Sequence, residues 1–398
     1  MQIEALTRQA NDLLRSGEIA SIELQESLGE SFGSAQMTSF TRVISFPSGD
    51  DPQLRVAYSG KYIPKLEVIE ETEQVTNAIE SVLRLRDSQS KRVGRINLMA
   101  GRPVAGTFAY GDDLRIGPVS EDSPRPPIDY SPIHPFVAEF NFEASHSEQV
   151  NAGRMMRGMK RVELLLAGLT CNDVHRLDTH NASWYYPKSS ESLNLSPEYG
   201  QPGYTGTARN NGGEEFSDWN DQDELELVED PFETLRGTQS FQLPRGINKM
   251  LDGYFLSDLA EQKRIMRSCF WIQSALRGWE VARSFMLLAA VQAVESLTEN
   301  QPVEKCNECK QDVYNSKRQG YKDFVQRYAP GFSDKQLLDV YDLRSSVTHG
   351  SELLTYDADV AFGYLHPGDH RELVDIARRV AQRSLMSYLH EKDLSQKT

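Results

Sequence analysis

The chain has 398 residues, 39% of them hydrophobic and 25% charged, which suits two or three packed domains and excludes wholesale disorder. Its longest apolar run, Phe285–Val291, is far short of the ~20 residues of a membrane-spanning helix, so none is expected. Net charge is −15, and residues 251–398 carry 19 basic against 21 acidic side chains, so almost all of the excess lies before residue 251.

An acidic chain attracts nucleic acid poorly through its overall field, so any polyanion-binding surface must be local. The near-neutral carboxyl-terminal part is the better place for one. Four cysteines are too few for a disulfide framework, and the first residues lack a basic start with an apolar core behind it. A cytoplasmic protein without membrane partners is expected.

Residues 1–30 have helical periodicity, with Ile3, Leu6, Ala10, Leu13 and Leu14 leading to Ile22, Leu24 and Leu28. From about 38 to 66 the pattern shortens to strands, as in Phe40–Phe46 and Leu54–Tyr58. A helix is expected over Glu71–Arg86, then strands at Arg95–Met99, Thr107–Tyr110 and Phe136–Phe142. Between the last two strands, residues 117–135 hold six prolines and read as a loop. A helix over about 146–168 places Arg154, Arg157 and Arg161 on one stripe, which reads as a solvated face opposite Met155, Met159, Val162 and Leu166.

Residues 214–233 hold ten acidic side chains and no Lys or Arg. Such a block reads as a mobile, solvated linker, placed to cover a basic cleft by mimicking a polyanion. It divides a mixed α/β region, 1–235, a sensor or specificity module, from a helical region, 251–398.

In that second region helix follows helix. The first, about Leu256–Leu276, directs Leu259, Ile265, Met266, Phe270 and Ile272 toward a core. The second, about Glu280–Leu297, is apolar almost all round and therefore buried. A polar stretch to Arg318 precedes a short helix with Tyr321, Phe324, Val325 and Tyr328. Ser333 and Gln336 then form a capping box for a helix running to His349, where Gly350 fits the C′ position. A last helix spans about Arg371–His390. The fold class is α+β, ending in an all-α bundle.

The capped helix carries Asp342-Leu-Arg344-Ser345-Ser-Val-Thr-His349-Gly350. Arginine and histidine together suit cleavage of RNA without a metal. An imidazole titrates near neutrality and serves as base for a ribose 2′-hydroxyl or as acid for the leaving oxygen. A guanidinium offers a fork of donors to the phosphate and its transition state. Five positions apart, the two lie about 140° apart around a straight helix, so two copies of the helix pooling their residues is one solution.

This segment closely resembles the signature of HEPN domains, in particular the ApeA-like branch, and helix order over about 251–398 agrees. The resemblance implies a small bundle that dimerises, or forms a higher even oligomer, as a metal-independent endoribonuclease with RNA, possibly tRNA, as substrate. It implies Arg344 and His349 as catalytic residues, with Ser345 at the polar position after the arginine and Glu295 as the acidic residue late in the buried helix. Many such proteins are toxins or anti-phage effectors, which makes a phage-derived trigger a candidate partner. Other HEPN domains have lost catalysis and bind nucleotides or proteins. Residues 1–250 lie outside the resemblance.

No cofactor is expected. Cys306 and Cys309 form one CxxC, half of a zinc site at most, and otherwise read as a reduced surface pair. Glu295 also reads as a salt-bridge residue for which Arg344 is the natural partner.

Overall fold

The computed structural model describes residues 2–16, 19, 21–32, 36–37, 43–48, 51–58, 64–85, 90–119, 134–145, 147–170, 172–176, 183–187, 195–202, 215–219, 222–229, 240–278, 282–298, 302–305, 312–314, 316–354, 357 and 370–396. Helix and strand occur together and the carboxyl-terminal region is helical, which is consistent with the α+β class. The chain separates into two units, each assembled from several segments. Unit 1 takes residues 1–95, 139–160 and 210–217; unit 2 takes 96–138, 161–209 and 218–398. These bounds differ from the two-part division at 235–251 read from composition, because the chain enters and leaves each unit more than once.

Unit 1 starts with helices α1 (Gln2–Ser16) and α2 (Ser21–Phe32). An antiparallel meander follows: β1 (Gln36–Met37), β2 (Val43–Ser48), β3 (Asp51–Tyr58) and β4 (Pro64–Val68). Alternation does what period two dictates. Phe46 pairs with Leu54, Ile44 with Val56 and Val56 with Leu66, putting five buried side chains on one face. These join Leu13, Leu24 and Leu28 of the helices, and Val75, Ile79 and Val82 of α3 (Glu73–Arg84), in one core. Asn11 of α1 closes the outer edge of β4, its amide nitrogen donating to the Leu66 carbonyl (3.1 Å) and its oxygen accepting from the Leu66 N–H (2.7 Å).

Strands β5 (Ser90–Ala100) and β8 (His134–Ala144) and helix α4 (Glu148–Leu169) each contribute to both units. Within unit 1, the fully buried Phe140 has both Gly94 and Gly158 against its ring, and a Cβ at either glycine would collide with it.

The arginine stripe of α4 is only partly solvated: Arg157 is exposed, while Arg154 and Arg161 are half-buried. Arg154 donates to buried Glu23 (2.7 Å) and to the carbonyls of Glu143 and Leu85, and Arg157 donates to the same carboxylate. Arg161, in unit 2, lies 5.5 Å from the ring centre of Phe255. A charge as buried as Glu23 needs such partners, and helical periodicity does not reveal them.

A five-stranded sheet has the order β6-β7-β8-β5-β9, of which β6 (Phe108–Tyr110), β7 (Leu114–Pro118) and β9 (His175–Arg176) belong wholly to unit 2. A hairpin of β10 (Ser183–Pro187) and β11 (Leu195–Pro202) stands apart in the pairing. The acidic segment is corrected over its described residues 215–219 and 222–229. In unit 1, the Ser217 N–H and hydroxyl donate to Glu139 (2.8 and 2.6 Å). In unit 2, Trp219 packs against Gly117 and Leu225 is buried. Thr107 exchanges backbone bonds with Asp223 and Leu225, and β12 (Leu227–Val228) pairs in parallel with β13 (Leu243–Pro244). Aromatic and aliphatic residues spaced among the carboxylates hold the segment down.

Six helices follow among the described residues: α5 (Ile247–Phe255), α6 (Leu259–Arg277), α7 (Arg283–Leu297), α8 (Lys317–Tyr328), α9 (Asp334–Thr348) and α10 (Arg371–Gln396). The single helix expected over 256–276 is preceded by a separate α5. Asp258 caps the new start by accepting from the Glu261 N–H (2.8 Å). The polar stretch after α7 includes a hairpin, β14 (Pro302–Lys305) with β15 (Asp312–Tyr314). Helix α10 packs against the other five. Its approach to α5 is close enough that a Cβ on Gly253 would overlap the Leu389 carbonyl. No helix among the described residues is long and apolar enough to cross a membrane.

Candidate functional site

Helix α9 begins at the capping box expected of it. The Ser333 hydroxyl accepts from the Gln336 N–H (3.2 Å), and the Gln336 side chain accepts from the Ser333 N–H (3.0 Å). Leu337, Val340, Tyr341 and Leu343 bury one face. The helix ends at His349, whose N–H donates to the Ser345 carbonyl (3.0 Å), and Gly350 turns the chain at φ +70°, where a side chain would be strained.

Arg344 lies on the side of α9 that meets α7. Its Nη2 donates to Oε2 of Glu295 at 2.7 Å, and the hydroxyl of Tyr341, one turn earlier, donates to Oε1 of the same carboxylate at 3.0 Å. Arg344 also lies over the Tyr341 ring, 5.5 Å from its centre. The pair is mostly shielded, with side-chain exposures of 20% for Arg344 and 15% for Glu295, so the carboxylate fixes the arginine and leaves part of its donor fork open.

Two tyrosines back this pair. Tyr321 of α8 is buried, its ring 5.3 Å from that of Tyr341, and its hydroxyl has no hydrogen-bond partner among the described residues. Burial, reinforced by the charge of Glu295, raises the pKa of both phenols above the ordinary value, keeping them neutral beside the carboxylate. On the outer side of α9, Arg318 grips Asp342 with two bonds of 2.7 and 2.6 Å, and this holds the Asp342 carboxyl below its usual range.

His349 is exposed, and its imidazole has no hydrogen-bond partner among the described residues. Ser345 is half-buried, and its carbonyl receives the His349 N–H. The structure thus joins Arg344 to Glu295 and leaves His349 facing solvent at the helix end, as an offset of about 140° requires. Beyond the motif, the Leu354 N–H donates to the Ser284 hydroxyl (3.2 Å). Asp357 accepts from the N–H groups of Arg283 and Ser284 (2.8 and 2.6 Å), satisfying the amino end of α7, whose own N-cap is Ala282. Helix α7 therefore holds Arg344 near one end and the segment leaving His349 at the other.

Sequence reasoning misses two of these groups. Tyr341 reads as core, although its place three residues before Arg344 puts both on one helix side. Asp357 carries no local signal, because the helix it caps lies more than 70 residues earlier. Cys306 and Cys309 lie outside the described residues. Cys269 is buried as expected of a packing residue, its thiol pushed up to about 12 by burial. Among the described residues no three His, Cys, Asp or Glu side chains gather as a metal-binding group.

Comparison of the chain with family models, curated proteins and solved structures gave no match.

Proposed function

We propose that the chain is a metal-independent endoribonuclease of the HEPN type, working as a homodimer or higher even oligomer. The observation that carries this reading is the arginine fixed by Glu295 and Tyr341 on the same helix that ends in an exposed histidine. In the reaction an imidazole takes the proton of a ribose 2′-hydroxyl, which attacks the adjacent phosphorus. The 5′-oxygen leaves with a proton from an imidazolium, giving a cyclic phosphate end and a 5′-hydroxyl end. Arg344 stabilises the charge that grows on the phosphoryl oxygens. Each chain supplies one such histidine, so a two-fold arrangement provides base and acid together.

In this reading the protein is a cytoplasmic anti-phage effector or toxin, with RNA as substrate and a phage-derived trigger as partner. The decisive experiment incubates purified protein with total RNA in EDTA and sequences the fragment ends. His349→Ala and Arg344→Ala should each lower cleavage by about 10²–10⁴-fold with the fold intact. Full activity in either variant, or a requirement for added magnesium, overturns the assignment.

A second reading, a HEPN module that binds nucleotide or protein without cleaving, is favoured by one observation. Arg344 already has a carboxylate partner at 2.7 Å. Under that reading wild type and His349→Ala are equally inert.

A further inference from the structure

Helix α6 departs most clearly from the pattern of its sequence. Leu259 and Phe270, expected in the core, are 36% and 44% exposed. The buried side of the helix is formed instead by Ile265, Cys269 and Ile272, with Ser268 and Gln273. At about 100° per residue, Leu259, Lys263, Arg267, Phe270 and Arg277 fall within a sector of about 80° on the other side. Lys263, Arg267 and Arg277 are exposed and have no ion-pair partner among the described residues. The stripe carries no carboxylate. Beside it lies an open groove of about 470 Å³, lined by Tyr254, Leu259, Lys263, Met266, Arg267 and Phe270.

Three exposed cations without an ion-pair partner among the described residues share this face although the chain's net charge is −15, and an exposed phenylalanine between them adds a flat apolar face. A ligand that satisfies both has regularly spaced anions and planar apolar groups free to stack. Single-stranded nucleic acid has this chemistry at every repeat; in a duplex the base faces are hidden, and an acidic peptide has a planar group only where it carries an aromatic side chain. We propose that this face of α6 holds single-stranded RNA, with a base on Phe270 and phosphates at Lys263, Arg267 and Arg277. Only the purpose of the binding, presenting a strand for cleavage, rests on the nuclease reading.

The test uses full-length His349→Ala protein in EDTA and a labelled single-stranded oligoribonucleotide of about 12 nucleotides, within the ~4–16 that such grooves hold. Binding is followed by fluorescence anisotropy over a salt series. Phe270→Ala should weaken binding about 5- to 150-fold, the value of one base stacked on an aromatic ring. Lys263→Ala with Arg267→Ala should lower the slope of log affinity against log salt by about 1.4, because two phosphates are no longer neutralised. Circular dichroism confirms that each variant is folded, as substitutions at exposed positions allow.

Parental affinity and slope in both variants overturn the proposal. So does an unchanged affinity in Phe270→Ala together with equal competition by polyphosphate, which marks a patch for any polyanion. Capture of an acidic peptide in preference to RNA overturns it as well. If wild-type protein cleaves RNA while the α6 variants bind like the parent, this inference fails and the nuclease reading stands. If RNA is held on α6 but never cut, the reverse is true.

Discussion

Removing the charge of Glu295 leaves Arg344 beside a neutral amide in a place where water reaches both side chains poorly. Glu295→Gln should cost about 1.5–3 kcal/mol of stability, the range for a hydrogen bond to a charged group, as measured by urea unfolding. Under the proposed nuclease reading, a guanidinium displaced by about 1 Å should slow single-turnover cleavage by about 10²-fold. Tyr341→Phe deletes one hydroxyl but keeps the ion pair, so it should cost about 1 kcal/mol and slow cleavage less. If the proposed cleavage is as fast in Glu295→Gln as in wild type, Arg344 needs no carboxylate to position it. At this scale the sequence is half legible. Arg344 and Glu295 can be matched by chemistry, whereas the Tyr341 hydroxyl meets its acceptor 46 residues away, on a different helix.

Among the elements, α9 is legible because its signals are local: Ser333 and Gln336 at one end and Gly350 at the other. Ser333→Ala should lower stability by about 1 kcal/mol, within the ~0.5–2 kcal/mol of a lost N-cap, and should shorten amide-exchange protection in the first turn of α9. Unchanged unfolding and exchange would mean that packing of Leu337 and Val340 alone sets the start of the helix. Elements without such markers are harder to read. The start of α6 depends on one aspartate in an apolar run, and β14–β15 is too short and polar for alternation to show. On α4 periodicity finds the buried face but not the partner of the polar one, since Glu23 lies 131 residues before Arg154.

At the scale of the molecule, unit 2 concentrates phenols that resist ionisation. Burial is the largest cause at Tyr110, Tyr254, Tyr321, Tyr341 and Tyr388, and Tyr254 is pushed up to about 12. In the unfolded chain these groups titrate near ~10. Their folded pKa values are raised, so the stability they contribute is complete below about pH 10 and declines as pH climbs toward the folded values. The melting temperature should therefore fall between about pH 9 and about pH 11, ahead of tyrosinate absorbance in the folded protein. A melting temperature flat across that interval, or tyrosinate appearing before unfolding, would contradict the burial that the structure assigns.

The segmented make-up of unit 2 has a genetic consequence. A recombination that carried only residues 251–398 into another gene would transfer Arg344 and His349. It would leave behind Tyr110, whose hydroxyl donates to Asp252 at 2.6 Å, and Glu163, which accepts from the buried amide of Gln273 at 2.9 Å. It would also leave Gly168, whose missing side chain makes room for Cys269 and Leu385. The transplanted helices would present an orphaned amide and an uncovered apolar face. Crossovers at the acidic segment are thus disfavoured, and the six helices should travel between genomes together with residues 96–138 and 161–209.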